Sequence, residues 1–202
     1  MKKEKIGIFG GTFSPPHLGH AHALEAFLVQ EKPDTMLVIP TAIPPHKQLS
    51  GDAGPLDRLE MCHLAFDAFG VTVSDMEISR GGKSYTVDTL EALSRDDRTL
   101  VLLCGTDMFL SLDAWYMFEK IFQLAEIVYV EREDDEHTKG LLEKKRAYYE
   151  ANFSAIVRPL LCTPFVASST MVREAFSTGE DTSLFLNPSV RRYVEECHLY
   201  QT

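Results

Sequence analysis

Apolar residues fall along this chain in two alternating kinds of stretch. Short, nearly unbroken runs lie at 6–9, 36–39, 71–73, 100–104, 127–130 and 156–157, the most strand-like being Leu-Val-Leu-Leu-Cys at 100–104. Runs of this length suit strands covered on both faces. The first ends in Gly10-Gly11, the second in Pro40 and the fourth in Gly105, residues that interrupt a strand. Between the runs, apolar positions recur at helical spacing: Leu24, Phe27 and Leu28 within 18–31, then Leu59, Cys62, Leu64, Ala65 and Phe69 within 56–69. Shorter helices are predicted at 87–93, 169–176 and 188–197, with Ser84 or Thr86 as the N-cap of the first. The polar, proline-rich stretch 41–55 is long for a connection without structure of its own, and such loops tend to be functional or mobile. The stretch 131–149 is dense in charge and predicts a loop followed by a polar, solvent-facing helix.

Strands that alternate with helices imply βαβ units, and hence an α/β fold: a mainly parallel sheet with helices on both faces. With no internal repeat or low-complexity linker, the pattern reads as a single domain over 1–202, with 160–202 as a small C-terminal helical part. In such folds ligands bind beyond the carboxyl ends of the strands. Two of those ends carry glycine, Gly10-Gly11 and Gly105, and they point to one site.

Composition narrows the partners. The 202 residues include 20 Lys and Arg against 30 Asp and Glu, a formal net charge of −10. A nucleic-acid surface calls for the opposite sign, whereas a small phosphorylated ligand needs only a few local cations. No apolar run approaches the ~20 residues of a transmembrane helix, and the start of the chain enters a strand directly, without a signal peptide's apolar stretch. A cytoplasmic protein is expected. Cys62, Cys104, Cys162 and Cys197 form no C-x-x-C pair, so free thiols in a reducing compartment are expected over disulfides or a zinc knuckle. Cys104, inside an apolar run, reads as core.

The first chemically suggestive stretch is GGTFSPPHLGH at 10–20. His17 and His20 lie three apart at a helix start and share a face, and Gly19 between them keeps bulk low. The N-terminus of a helix offers free N–H groups and positive potential to phosphate, and imidazoles can add donors. Two incidental histidines or part of a zinc site are the alternatives. The second stretch is ASSTMVR at 167–173: hydroxyls ahead of a helix with an arginine one turn in, which make either an anion cup or an ordinary cap with a solvated arginine. Trp115 beside Tyr116 offers a flat aromatic face, or else simply a core or surface ring. Lys47 supplies a compact cation on the long loop, stiffened by Pro44-Pro45, and Arg173 a forked one.

Taken together, H-x-G-H at 17–20 and S-S-T-x-x-R at 168–173 strongly resemble the nucleotidyltransferase superfamily, whose fold is Rossmann-like. Within it the chain is similar to the bacterial nicotinate mononucleotide adenylyltransferases through PPHK at 44–47, Arg58 with Met61, RGGKSYTVDTL at 80–90, GTDM at 105–108, Trp115-Tyr116 and VRRYVEECHLY at 190–200. H-x-G-H marks only the superfamily, and S-Y-T-x-D-T-L separates this family from its relatives.

The resemblance implies that Gly10, Gly11, Thr12 and Phe13 line an ATP pocket, with His17 and His20 on its phosphates. It places Gly105 and Asp107 near the adenosine, and Ser168, Ser169, Thr170 and Arg173 on the phosphates that leave as pyrophosphate. Thr86, Trp115 and Tyr116 would receive the pyridine mononucleotide, and His46 and Lys47 would close over the substrates. Asp88 and Thr89 follow the motif and serve either the helix start or the ligand. The implied reaction is adenylyl transfer from ATP to nicotinate mononucleotide in NAD biosynthesis. Mg²⁺ would arrive on the ATP phosphates rather than on side chains of the protein. A relative with another acceptor (nicotinamide mononucleotide or pantetheine phosphate), or a non-catalytic nucleotide sensor, are the alternatives. The family carries Asp in G-G-T-F-D-P where this chain has Ser14, a hydrogen-bonding group without the carboxylate.

Overall fold

The computed structural model describes residues 2–45, 53–131, 136–162, 165 and 167–201. Among these, the elements in chain order are β1 (Glu4–Gly11), α1 (Leu18–Glu31), β2 (Thr35–Pro40), α2 (Pro55–Phe66), β3 (Thr72–Val73), α3 (Met76–Arg80), α4 (Thr86–Leu93), β4 (Arg98–Cys104), α5 (Thr106–Leu110), α6 (Phe118–Leu124), β5 (Ala125–Val130), α7 (Glu136–Phe153), β6 (Val157–Leu160), α8 (Ser169–Thr178) and α9 (Pro188–Glu196). Short 3-10 turns stand at Asp67–Phe69 and Leu112–Ala114.

The strands form one six-stranded sheet in the order β3-β2-β1-β4-β5-β6. Parallel pairing sets Ile6 opposite Leu100, Leu102 opposite Ile127, and Ile127 opposite Val157. This is the doubly wound order, in which the chain reverses its direction of growth between β1 and β4. Each predicted apolar run appears as a strand.

The chain forms two compact units. The first comprises Met1–Gly10, Ala23–Leu37 and Tyr85–Pro164. Its core is made by β1, β4 and β5, with Ile6, Ile8, Leu100 to Cys104, Ile127 and Val128 all buried. The Phe109 ring stacks on Tyr129 at 4.2 Å. At Gly7 a Cβ would sit 2.4 Å from Met36 Sδ and 2.8 Å from Phe27 Cε1, so a larger residue there would force those side chains to shift.

The second unit comprises Gly11–His22, Val38–Ser84 and Phe165–Thr202. There α2 packs on α9, and Phe13, Met61, Cys62, Phe66, Val172, Val190 and Val194 are buried. Its helices start where the chemistry asks. Pro55 and Pro188 occupy the first turns of α2 and α9, where a missing N–H costs nothing, and the Asn187 side chain accepts the Ser189 N–H at 2.8 Å.

Several local expectations change. Neither predicted cap closes α4: Tyr85 stands at its N-cap position without a side-chain cap bond, and Ser84 Oγ instead accepts the Ala42 N–H at 2.9 Å. Along α2, Leu64 is only half-buried while Arg58 is fully buried, an exchange that apolar periodicity cannot show. The charged stretch is no plain solvated face, because α7 buries Leu142 and Tyr149. Cys104 is core as expected, and burial pushes its thiol up to about 12. Among the described residues no helix is long and apolar enough to cross a membrane.

Candidate active site

In the second unit, β1 ends and the chain turns sharply before α1. Phe13 adopts a left-handed backbone, φ 49°, uncommon for a residue with a side chain. Its ring is held in place by the edge of Phe66 at 5.7 Å and by His20 at 5.1 Å. The His17 and His20 rings lie 3.7 Å apart between centroids, so the shared face predicted from their spacing is present. The His17 backbone N–H donates to His20 Nδ1 at 3.1 Å. An imidazole nitrogen that accepts carries no proton, so in the neutral ring Nε2 bears the hydrogen and is a donor. Gly19 leaves room here: a Cβ would be a tight fit, 3.0 Å from His17 Cε1 and Nδ1 and 3.4 Å from the Phe165 carbonyl.

The S-S-T-x-x-R stretch starts α8 in the same unit. Ser168 is its N-cap and accepts the Met171 N–H at 3.1 Å, so the ordinary cap is real for this residue, while its hydroxyl hydrogen is still able to donate. Ser169 Oγ donates to the Pro15 carbonyl at 2.9 Å, and Arg173 Nη1 donates to the Ser14 carbonyl at 2.8 Å. Arg173 Nη2 donates to Thr170 Oγ1 at 3.2 Å. The cup and the histidine turn are therefore bound to each other through Ser14 and Pro15. Ser14 itself is buried, and its hydroxyl lies 3.0 Å from that of Tyr200.

In the first unit, Gly10 is the last residue but one of β1, and Gly105 follows the neighbouring strand β4. A Cβ on Gly10 would meet nothing within 4 Å, and one on Gly105 only Met108 Sδ at 4.0 Å, so packing does not demand glycine at either place. Asp107 is exposed on α5. Thr106 anchors that helix, with Oγ1 donating to the Val130 carbonyl at 2.6 Å. Thr86 opens α4, Trp115 is half-buried, and Tyr116 is exposed. Tyr85 and Tyr116 bring these two places together, their rings 4.7 Å apart. An ion pair between Lys120 and Glu91 joins α6 to α4. Thr89 is buried, whereas Asp88 lies in the first turn of α4, where its carboxylate suits the helix dipole. His46 and Lys47 lie outside the described residues.

The model of the cytidylyltransferase-like family matches residues 8–175. Nicotinate-nucleotide adenylyltransferase of Bacillus subtilis (strain 168) is 33% identical over 204 residues, covering 98% of this chain and 100% of that one. The chain belongs to the nicotinate-nucleotide adenylyltransferase family. A relative from Desulfatibacillum aliphaticivorans, named "Probable nicotinate-nucleotide adenylyltransferase", is 35% identical across 97% of this chain and 99% of its own. In fold, the nicotinic acid mononucleotide adenylyltransferase of Plasmodium falciparum complexed with NaAD superposes with a TM-score of 0.76 at 18% identity, covering 98% of this chain and 97% of that one.

Periodicity missed three residues that hold this adenylyltransferase's candidate site in place. Arg58 is fully buried on α2 and donates from Nη1 to the Thr12 carbonyl and from Nη2 to the Ala42 carbonyl, each at 2.9 Å. Burial pushes its guanidinium below the ordinary value. Tyr200 is buried against Ser14 from the far end of the chain. Asp113, two residues before Trp115, is bonded to Tyr149 and Lys145. Arg58 was visible only as part of a motif match. Tyr200 was visible in the same way, at the end of the 190–200 stretch, and Asp113 gave no signal.

Proposed function

We propose that the protein transfers the adenylyl group of ATP to nicotinate mononucleotide, releasing the deamido dinucleotide and pyrophosphate, and that the residues named above carry the reaction. The observation that supports this best is the imidazole pair before α1, its rings 3.7 Å apart, with His20 Nδ1 accepting the His17 N–H so that in the neutral ring Nε2 carries the proton.

A phosphate oxygen of the mononucleotide attacks the α-phosphorus of ATP. A new P–O bond forms, the bond to the bridging oxygen breaks, and pyrophosphate leaves with that electron pair. The nucleophile is already anionic, so no general base is needed, and catalysis is positioning and charge neutralisation. In this reading His17 and His20 donate to the transferring phosphate, and Arg173 and Lys47 add full positive charge. Ser168, Ser169 and Thr170, at the N-terminus of α8, hold the departing phosphates. Gly10, Gly11, Thr12, Phe13, Gly105 and Asp107 take the rest of ATP. Thr86, Trp115, Tyr116 and His46 receive the mononucleotide. Magnesium enters as part of the ATP substrate and offsets phosphate charge. We place the enzyme in the cytoplasm, a reducing compartment that suits its free cysteines, Cys62 and Cys104 among them.

Pyrophosphate release with ATP and each acceptor in turn tests the reading. Nicotinate mononucleotide should be turned over far faster than nicotinamide mononucleotide or pantetheine phosphate. His20→Ala should lower kcat by about 100-fold or more while its circular dichroism and Tm stay near those of the parent. A His20→Ala protein with parental turnover would remove the histidine from this role, and equal turnover of another acceptor would remove the substrate.

A further inference from the structure

The charged helix α7 has no part in the reading above, yet its inner face is not idle. Tyr149 is fully buried between the rings of Phe109, perpendicular at 5.4 Å, and Phe122 at 4.9 Å. Its hydroxyl does not stop in apolar surroundings. It donates to the Phe109 carbonyl at 3.1 Å, with Asp113 Oδ1 at 3.2 Å sharing that proton, and it accepts the Asp113 N–H at 3.3 Å. One turn earlier on α7, Lys145 Nζ lies 2.6 Å from Asp113 Oδ2. Both carboxylate oxygens and the amide of one residue are thus held from a single helix.

Asp113 sits in the 3-10 turn Leu112–Ala114, and Trp115 is the C-cap of that turn, its N–H donating to the Leu112 carbonyl at 3.1 Å. Beyond it, the Trp115 carbonyl accepts the Phe118 N–H at 3.2 Å, and Met117 takes a left-handed φ of 52° before α6. The backbone on either side of the ring therefore has little freedom. If packing alone were at stake, a phenylalanine at 149 would fill the same space without a hydroxyl to satisfy. A buried hydroxyl and an ion pair aimed at one turn fix direction, which packing does poorly.

We propose that α7 sets the orientation of the Trp115 ring, with Tyr149 and Lys145 as positioning residues for the pyridine mononucleotide. This rests on the reading that Trp115 receives that substrate. An aromatic platform is useful only if its plane is fixed before the ligand arrives, since ordering it on binding is subtracted from affinity.

The chain has one tryptophan, so emission excited at the red edge, where tyrosine does not absorb, reports on this turn alone. Tyr149→Phe keeps the contacts to Phe109 and Phe122 and removes only the hydroxyl. It should shift the emission maximum, increase quenching by acrylamide, and raise KM for nicotinate mononucleotide about five- to tenfold, the equivalent of one hydrogen bond. KM for ATP and kcat should stay within about twofold. Lys145→Met, on the outer edge of the same network, should move both readouts in the same direction by less, and stands in if Tyr149→Phe folds poorly. Unchanged emission and KM in both variants would overturn the proposal, as would equal rises in KM for both substrates. Trp115→Ala separates this from the reading beneath it. A parental KM for the mononucleotide in Trp115→Ala would sink that reading and the proposal with it. A raised KM there, with parental behaviour in Tyr149→Phe and Lys145→Met, would sink the positioning role alone.

Discussion

Arg58 shows how much a single residue can decide. A charge with no exposure is costly unless its donors are met, and burial already weighs on this guanidinium. The compensation is a fork, with one arm on the Thr12 carbonyl and the other on the Ala42 carbonyl. Thr12 belongs to the turn that presents His17, and Ala42 to the start of the loop toward 46–52. Lysine cannot reproduce this geometry, because one ammonium on a flexible stem does not span two carbonyls as a rigid fork does. Arg58→Lys should therefore leave one carbonyl poorly satisfied at a cost of about 1–3 kcal/mol, and Arg58→Met should strand both at a higher cost. Urea titration reads both values. A methionine variant as stable as the parent would mean that water or relaxation replaces the fork. Ser14 follows the same logic on a smaller scale. The serine is fixed through its hydroxyl by Tyr200 and through its carbonyl by Arg173.

At the scale of elements, the end of α1 secures the edge strand β6. Gln30 Nε2 donates to the Pro159 carbonyl, and Gln30 Oε1 accepts the Leu161 N–H, both at 3.0 Å. The edge of a sheet is a row of unmet backbone groups, and one amide side chain meets two of them. Beside it, Glu31 receives Arg158 from β6 at 3.0 Å and Lys5 from β1 at 3.4 Å, while Arg158 also reaches Glu126 of β5 at 2.7 Å. A carboxylate at a helix C-terminus opposes the dipole, so these cations have an unfavourable interaction to offset. Burial by itself raises the Glu31 carboxyl, but Arg158, aided by Gln30 and Lys5, holds it net below the ordinary glutamate value. The sign follows from linkage: a carboxylate whose folded value is lowered stabilises the protein above its ordinary value of about 4.3, and that stability is lost as pH falls through the lowered one. Glu31→Gln should cost about 2 kcal/mol at pH 7 and flatten the fall in urea midpoint below about pH 4.3. Parallel acid profiles for variant and parent would count against the network.

Over the whole molecule, what the sequence reveals depends on range. The parallel sheet is legible because β1, β4 and β5 are continuous apolar runs with glycine at the ends of two of them, and the phosphate-binding candidates are legible because each lies in a short local motif. Helices α3, α5 and α6, at 5, 5 and 7 residues, are too short to show a period. Arg58 and Tyr200 showed only as members of motifs, and Tyr149 not at all; their structural roles were hidden because their partners are distant in sequence, 186 positions away for Tyr200 and Ser14. The net charge of −10 describes the chain as a whole and is silent on where donors suited to phosphate lie. The second unit is assembled from three separated segments, Gly11–His22, Val38–Ser84 and Phe165–Thr202, and this gives the chain's end an uncommon weight. Terminal residues are usually dispensable, but Leu199 and Tyr200 are 7% and 2% exposed. Each buried apolar side chain contributes about 1.5–3 kcal/mol, so a chain stopped at Cys197 should lose about 4 kcal/mol and melt well below the parent. A chain stopped at Tyr200 should melt with it. Tyr200→Phe, which keeps the ring and drops the bond to Ser14, should fall between them at about 1 kcal/mol. Turnover of the Cys197-terminated chain, measured well below its own Tm, then separates stability from function. If the Ser14 turn needs Tyr200 only to stay folded, activity returns on cooling. If Tyr200 also holds the turn that presents His17, kcat stays low even where the chain is fully folded, and we expect the second outcome because Ser14 joins Tyr200 and Arg173 in one hydrogen-bonded group.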